Sequence, residues 1–537
     1  MSWSQHLILI PVLLPLLCGA LLILINESRH QLKFVINFAS VLVQLAVAVA
    51  LLVLVDSGFW PNDIGVYLAG NWPAPFGITL VADRLATLML VLTGLIATAA
   101  LFYSMKRWSR IGVHFHTLYQ LLLMGIHGAF LTHDLFNLFV FFEVMLAASY
   151  GLLLHGYNLN RLRAGMQFVA VNLVASFMFL IGVALIYGAA GTLNMADLAL
   201  RLTEIAAEDM ELFKLGVLVL AIAFLVKSAM WPLGFWLPTT YAAASPPAAA
   251  MLVLMTKVGV YAILRVWSLA FSDGSVAHGF GYDILLWGGV ATIVFGAAGM
   301  MSTDEHGRMA GYAAIVSSGT LFAILGLNQQ LLVAPALFYL FSSTIVVAAF
   351  MLLIELIERA HNPVGAMLAI TMEAYEFEET PEQPVGVGIP MALAFLGLSF
   401  IGCALVIAGM PPFSGFVAKV SLFHGLLQFG GANAGAMALN LAIMGLIIAA
   451  GFVTITSMMR TGVRTFCASG AVPPRLQLSE ALPVSALLLV TVVLTVQAGP
   501  IMDFLERASA GLQRPTHYLE RVLEESPVTR VVAEDTP

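Results

Sequence analysis

The chain has 537 residues, of which 60% are drawn from AVILMFWYC and only 10% from DEKR, against roughly 25% charged in water-soluble globular chains. This composition excludes a soluble protein and leaves no room for a soluble catalytic domain. The formal net charge of -7 arises from few ionisable residues without a Lys/Arg-rich run, so nothing suggests a nucleic-acid partner; the three scattered cysteines, Cys18, Cys403 and Cys467, support neither a disulfide framework nor the four thiolates of an iron–sulfur cluster.

The first 25 residues have the apolar core of a signal peptide but not its basic flank or small-x-small cleavage site, and read as an uncleaved first helix. With about 20 apolar residues needed per crossing, spans are predicted near 6 to 26, 34 to 55, 78 to 103, 112 to 131, 135 to 155, 165 to 189 and 212 to 231. The second half gives 245 to 267, 284 to 301, 309 to 327, 332 to 357, 391 to 429, 437 to 459 and 482 to 503. That is fourteen crossings in an all-α membrane protein. The seventh is interrupted where Pro232 follows Trp231. The twelfth, nearly twice a normal span, holds Pro411 and Pro412 at its centre, where missing N–H donors and ring clashes must break a helix.

Arg29, Lys33, Lys106, Arg107, Arg110, Arg161, Arg163, Arg308, Arg359, Arg460, Arg464 and Arg475 all fall in loops on one face, which the bias of Lys and Arg assigns to the cytoplasm. Both termini are then outside. The tail basics Arg507, Arg514, Arg521 and Arg530 weaken that contrast, and the tail carboxylates offset them. The longest polar interruption carries Glu373, Glu376, Glu378, Glu379 and Glu382 on the cytoplasmic face. It reads as a solvated linker, or else a docking strip for a basic partner.

Of six lysines, three, Lys227, Lys257 and Lys419, lie inside apolar segments, where a charge costs on the order of 3 kcal/mol even on lenient insertion scales. Lys227 precedes Pro232 by five residues, and Lys419 lies two turns past the double proline. Glu143, eight residues into the fifth span, is the only carboxylate between Asp134 and Asp197. A buried carboxylate beside a buried ammonium lowers the cost of both, and the proton affinity of each then depends on their separation. A gated proton relay needs that property; a static ion pair that registers helices is the other reading. His127 and His133 could wire protons toward Glu143, although a lone histidine on an apolar face is more often a core residue.

Spans four to eight and nine to thirteen form two five-helix units, each with its fourth helix broken and a lysine beside the break. Since five is odd, consecutive units have inverted topology, a plan common among transporters. The organisation is therefore 1–110 (helices 1–3), 111–268 (first repeat), 269–465 (second repeat) and 466–537 (helix 14 and a polar tail).

The segments FLTHDLFNLFVFFEVMLAASYGLLLHG, KSAMWPLGFWLPTTYAAASPPAAAMLVLMTKVGVYAILR and GMPPFSGFVAKVSLF resemble the antiporter-like family shared by respiratory complex I and the multisubunit Mrp cation/proton antiporters, with the D-type Mrp subunits most similar. The resemblance implies proton translocation by Glu143, Lys227, Lys257 and Lys419, and an inverted repeat. Asp134, His127, Ser342 and Ser343 are accessory candidates. It departs in the eleventh span, where the family commonly places a histidine, and in some members a lysine one turn later, and this chain has Ser342 and Val346. A path from Lys257 to Lys419 would then depend on Ser342, Ser343 and water.

The function read from these features is a proton-translocating subunit of a sodium or potassium/proton antiporter in a bacterial cell membrane, partnered by other Mrp subunits. It would work without a cofactor, bound metal or enzyme chemistry. The alternative is the M- or N-type chain of complex I. A passive membrane scaffold for a redox enzyme is the third class, and it predicts dispensable intramembrane charges.

Overall fold

The computed structural model describes residues 3–156, 158–203, 205–271, 279–361, 391–429, 434–466 and 476–527. The acidic stretch with Glu373, Glu376, Glu378, Glu379 and Glu382, together with Cys467, Arg475, Arg530, Glu534 and Asp535, lies outside them. All fourteen expected segments are helical. In chain order they are α1 (Ile10–Leu24), α2 (His30–Asp56), α3 (Arg84–Ser104), α4 (Phe115–Leu131), α5 (Leu135–Leu154), α6 (Leu159–Ala190), α7a (Ala207–Lys227) with α7b (Leu237–Ala243), and α8 (Pro246–Ala270). The second half comprises α9 (Tyr282–Ser302), α10 (His306–Gly326), α11 (Val333–His361), α12a (Met391–Ala408) with α12b (Ser414–Phe429), α13 (Ala434–Phe466) and α14 (Leu478–Val496). Among the described residues, eleven helices are by themselves long and apolar enough to cross a membrane. The protein is a multi-pass membrane protein whose broken helices are the seventh and the twelfth.

Apolar helices gain little from the hydrophobic effect when surrounded by lipid, so close packing at small residues holds them together. A Cβ on Gly125 or Gly128 of α4 would lie 2.6 Å from Met145 N or 2.2 Å from the Phe141 ring of α5. In the second unit a Cβ on Gly289 of α9 or Gly319 of α10 would lie 2.3 Å from Ala323 N or 2.8 Å from Ile293 N. The first two helices of each five-helix unit are thus sealed by glycine. α8, α10 and α11 are buried nearly all round, while only about a third of the residues in the apolar stretches of α2 and α13 are buried. The intramembrane lysines Lys227, Lys257 and Lys419 are all buried.

Two features differ from the sequence reading. The third span does not begin at 78, because Thr79–Ala82 pairs antiparallel with Gly65–Leu68 as a two-stranded hairpin, Gly65 opposite Ala82, and α3 starts only after Asp83 caps it by accepting from Ala86 N at 2.8 Å. The last span ends at Val496 rather than 503: Gly499 and Pro500 open a new helix, α15 (Ala498–Leu512), because a proline is accommodated in a first helical turn but not mid-helix. With α16 (Pro515–Leu523), the stretch expected to be a plain polar tail instead folds back, burying Leu505, Ala508, Tyr518 and Val522. Gln5 Nε2 donates to Glu525 Oε1 at 2.9 Å, so the first and last described segments meet on one face. On the opposite face Glu355 of α11 accepts from Tyr103 Oη (3.0 Å), Arg107 (2.6 Å) and Trp108 Nε1 (2.7 Å), while Arg359 reaches the buried Glu480 at 2.7 Å.

Candidate functional site

The two breaks end their first halves in the same way. Ala229 sits in the left-handed region (φ 58°), its N–H donating to Val226 O at 3.1 Å, and Met230 N donates to Leu225 O at 3.0 Å. At the second break Gly409 (φ 77°) donates to Val406 O at 3.1 Å, and Met410 N to Leu405 O at 2.8 Å. These paired bonds form a Schellman cap, which satisfies carbonyls that a terminated helix would leave bare. Pro232 and Pro412 then prevent the helix from resuming at once. Trp236 Nε1 donates to Val226 O at 3.2 Å, and Trp231 N finds Thr292 Oγ1 of α9 at 2.9 Å. Unwound backbone is tolerated at membrane depth only where such partners exist.

Lys227 is the last residue of α7a and is only 4% exposed. A cation at a helix C-terminus is favoured by the helix dipole. Its ammonium lies 4.9 Å from the centre of the Phe142 ring, and Nζ has no hydrogen-bond partner among the described residues. Glu143, adjacent to Phe142, is close enough to act on Lys227 electrostatically. Its Oε1 is likewise buried and unpartnered, and the two groups form no contact ion pair.

Gly259 brings α8 against the first break: a Cβ there would lie 2.2 Å from Ser228 Oγ. Two residues away, Lys257 (1% exposed) donates to Ser317 Oγ of α10 at 2.8 Å, and Ser317 shares a 2.8 Å hydrogen bond with Ser343 Oγ of α11. The adjacent Ser342 shares a 2.7 Å bond with Ser414 Oγ, the first residue of α12b. Lys419, five residues further, donates to Ala408 O at 2.6 Å, across the break from its own helix. Two hydrogen-bonded runs, Lys257–Ser317–Ser343 and Ser342–Ser414, thus lie between Lys257 and Lys419, with Ser342 and Ser343 adjacent in sequence but not bonded to each other. Ser317, Ser318 and Ser414 are not singled out by the sequence, since a serine inside an apolar segment is common; the signal that could have found them is the recurrence of serines at 317–318, 342–343 and 414, in three consecutive spans.

The remaining accessory candidates lie elsewhere. His127 Nδ1 donates to Pro11 O at 3.0 Å, the carbonyl that Pro15, lacking an N–H, cannot bond within α1. That contact turns His127 toward α1, whereas Gly125 and Gly128 face α5. Asp134 is the N-cap of α5, accepting from Asn137 N at 2.8 Å; burial raises its carboxyl above the usual range. His133, buried just past the end of α4, is pushed down to about 3, first by burial and then by Arg265. A second polar seam is also absent from the sequence reading: Lys33, Asn37, Ser40 and Gln44, spaced 4-3-4 along one face of α2, meet His116 and Gln120 of α4 through Asn37–His116 (2.8 Å), Gln120–Asn37 (2.6 Å) and Gln44–Gln120 (3.0 Å) bonds. Among the described residues no group of His, Cys, Asp and Glu is arranged to hold a metal ion.

Two broken helices on an inverted five-helix plan, each with a buried lysine at the break, define a membrane protein of the secondary-transporter type. The chain belongs to the NADH:quinone oxidoreductase/Mrp antiporter transmembrane family, whose model matches residues 132–446. It is 51% identical over 531 residues to the D chain of a probable K(+)/H(+) antiporter of Rhizobium meliloti, covering 97% of this chain and 98% of that one. It is 35% identical over 530 residues to the D chain of the Na(+)/H(+) antiporter of Alkalihalophilus pseudofirmus, covering 97% and 100%. A chain in the solved structure of the Mrp complex from Dietzia sp. superposes with a TM-score of 0.81 at 28% identity, covering 97% of this chain and 100% of that one.

Proposed function

We propose that this protein is the proton-translocating D-type member of a multisubunit monovalent cation/proton antiporter of the bacterial inner membrane, with both termini outside. Residues 111–268 and 269–465 act as the two inverted repeats, framed by 1–110 and 466–537. The names of the relatives favour this reading over a complex I chain, and its work is transport rather than bond chemistry. The observation that carries the mechanism is the pair of hydrogen-bonded runs Lys257–Ser317–Ser343 and Ser342–Ser414 between the two breaks.

The relay begins with Glu143 and Lys227. A carboxylate stabilises a nearby ammonium, so changing their separation changes which group along the axis holds the proton. Lys257 receives it next, across the contact of Ser228 with Gly259. Hydroxyls both donate and accept, so the serine pairs, with water between Ser343 and Ser342, pass it toward Lys419. The three lysines make the axis a poor place for Na+ or K+, which require several oxygen ligands, and the exchanged cation is assigned to partner subunits.

The test is cation-dependent dissipation of ΔpH in everted vesicles carrying the whole complex, run with both Na+ and K+. Glu143→Ala should abolish exchange while complex yield on a native gel is kept, with Glu143→Asp intermediate. Exchange near the wild-type rate in Glu143→Ala would sink the relay. The purified single chain should show little exchange, and robust antiport without partners would refute its place as one subunit among several.

A further inference from the structure

On the face where Gln5 meets Glu525, three segments far apart in sequence meet around one ion pair. Arg265, two turns beyond Lys257 on α8 and only 2% exposed, bonds Asp83 at 2.7 Å at the start of α3. Burial pushes the Asp83 carboxyl up, but Arg265 and the Ala86 N–H more than offset it and hold it below the usual carboxylate range. Tyr518 of α16 covers the pair, its ring 5.6 Å from the Arg265 guanidinium and 5.2 Å from the His133 ring. Beside them lies a cavity of about 250 Å³, lined among others by Asp83, Arg84, Arg265, Ser268, Arg514 and Tyr518.

The buried polar atoms of this cluster are not all satisfied by protein. Arg265 Nε, Tyr518 Oη and His133 Nε2 have no partner among the described residues. A polar cavity of this size is ample for several waters, each needing at least about 10–15 Å³. Inward, the same face of α8 continues to the relay: Tyr261, one turn from Arg265 and one from Lys257, donates to Phe130 O at 2.6 Å and lies 3.4 Å from Arg265 Nη2. Eight residues of helix separate Arg265 from Lys257, a rise of about 12 Å. Charged and hydroxyl side chains thus run from mid-membrane to a polar cavity on one side of the molecule.

We propose that Asp83, Arg265 and the cavity covered by Tyr518 form the outer mouth of the proton path, joined to Lys257 through Tyr261. This rests on the relay and on the outside placement of the chain ends proposed above. Ion pairing of Arg265 with Asp83 closes the mouth, since a paired arginine and a tyrosine ring block the way to Tyr261; water enters when the C-terminal helix lifts. Arg265 and Tyr518 are positioning residues here, because the proton itself passes on water and the Tyr261 hydroxyl.

The test is a single cysteine at Ser268, a cavity-lining residue one turn from Arg265, in a chain whose Cys18, Cys403 and Cys467 have been replaced. Whole-complex vesicles of both orientations are treated with a membrane-impermeant cationic methanethiosulfonate, and antiport is compared with the same vesicles before treatment. The expected result is modification from the outer side with loss of most antiport, and faster modification when Tyr518→Ala is added. Modification from outside with antiport intact would make the cavity a bystander to an ion pair that merely pins α3 to α8. No modification from either side, or a modification rate unmoved by Tyr518→Ala, would equally overturn the mouth or its cover. Modification only from the cytoplasmic side would show that the orientation is wrong. Glu143→Ala, measured in parallel, separates failure of the relay from failure of the mouth, because modification of Ser268→Cys reads the cavity without reference to Glu143.

Discussion

The two helix breaks share a cap and a following proline, yet they hold their lysines in opposite ways. At the first, Lys227 precedes the break, its ammonium has no hydrogen-bond partner among the described residues, and the Glu143 carboxylate stands nearby. At the second, Lys419 follows the break and reaches back to bond the Ala408 carbonyl at 2.6 Å. The left-handed position differs accordingly. A Cβ at Gly409 would lie 2.4 Å from Lys419 Cδ and would displace the lysine stem, while the first break accommodates Ala229. The lesson is that one backbone device serves two electrostatic arrangements: one lysine has a carboxylate nearby and no hydrogen-bond partner among the described residues, and the other is held by a backbone carbonyl.

The largest effect that would break this comparison comes from arginine. It keeps the positive charge but not the ability to release a proton near neutral pH, so Lys227→Arg and Lys419→Arg should assemble and still lose most transport. Complex yield on a native gel beside vesicle exchange, with the alanine variants in parallel, is the measurement. Wild-type exchange by both would replace the relay with a static structural role for these lysines.

Gly409→Ala should come next. An alanine in the left-handed region costs about 1–2 kcal/mol, and here it also displaces the Lys419 stem, so thermal stability of the detergent-solubilised complex and exchange should fall together. Loss of stability with unaltered exchange would detach the Lys419 position from transport. Ser317→Ala removes a hydrogen bond to an ammonium, worth about 1.5–3 kcal/mol, and should slow exchange roughly tenfold if the serine pairs carry the proton. An unchanged rate would reroute the path around α10. The smallest effect is that of Ala229→Gly, which relieves the cost of a non-glycine residue with positive φ and should stabilise by under about 1 kcal/mol; marked destabilisation would show that the first break depends on the Ala229 methyl.

Much of this was legible in the chain itself. Spans, both breaks and the three buried lysines follow from composition, from prolines in apolar runs, and from the rule that a charge in lipid needs a reason. The residues around those charges were less legible. A serine in an apolar segment is ambiguous, because its value depends on which helix it faces, and the Ser317–Ser343 and Ser342–Ser414 pairs each join residues of different helices.

The sequence by itself determined the fourteen apolar spans and where the helices had to break, since missing N–H donors and apolar lengths are local properties, but not the hairpin before α3 or the helices α15 and α16. Only the tertiary structure decided that Lys227 and Glu143 stand apart, that Lys257 bonds Ser317, and that Lys419 turns back to Ala408. It also decided that His127 answers Pro11 across two helices, and that Tyr518, more than 250 residues beyond Arg265, closes over it. Those facts depend on which faces of the helices meet, and packing between distant segments sets that orientation where periodicity does not.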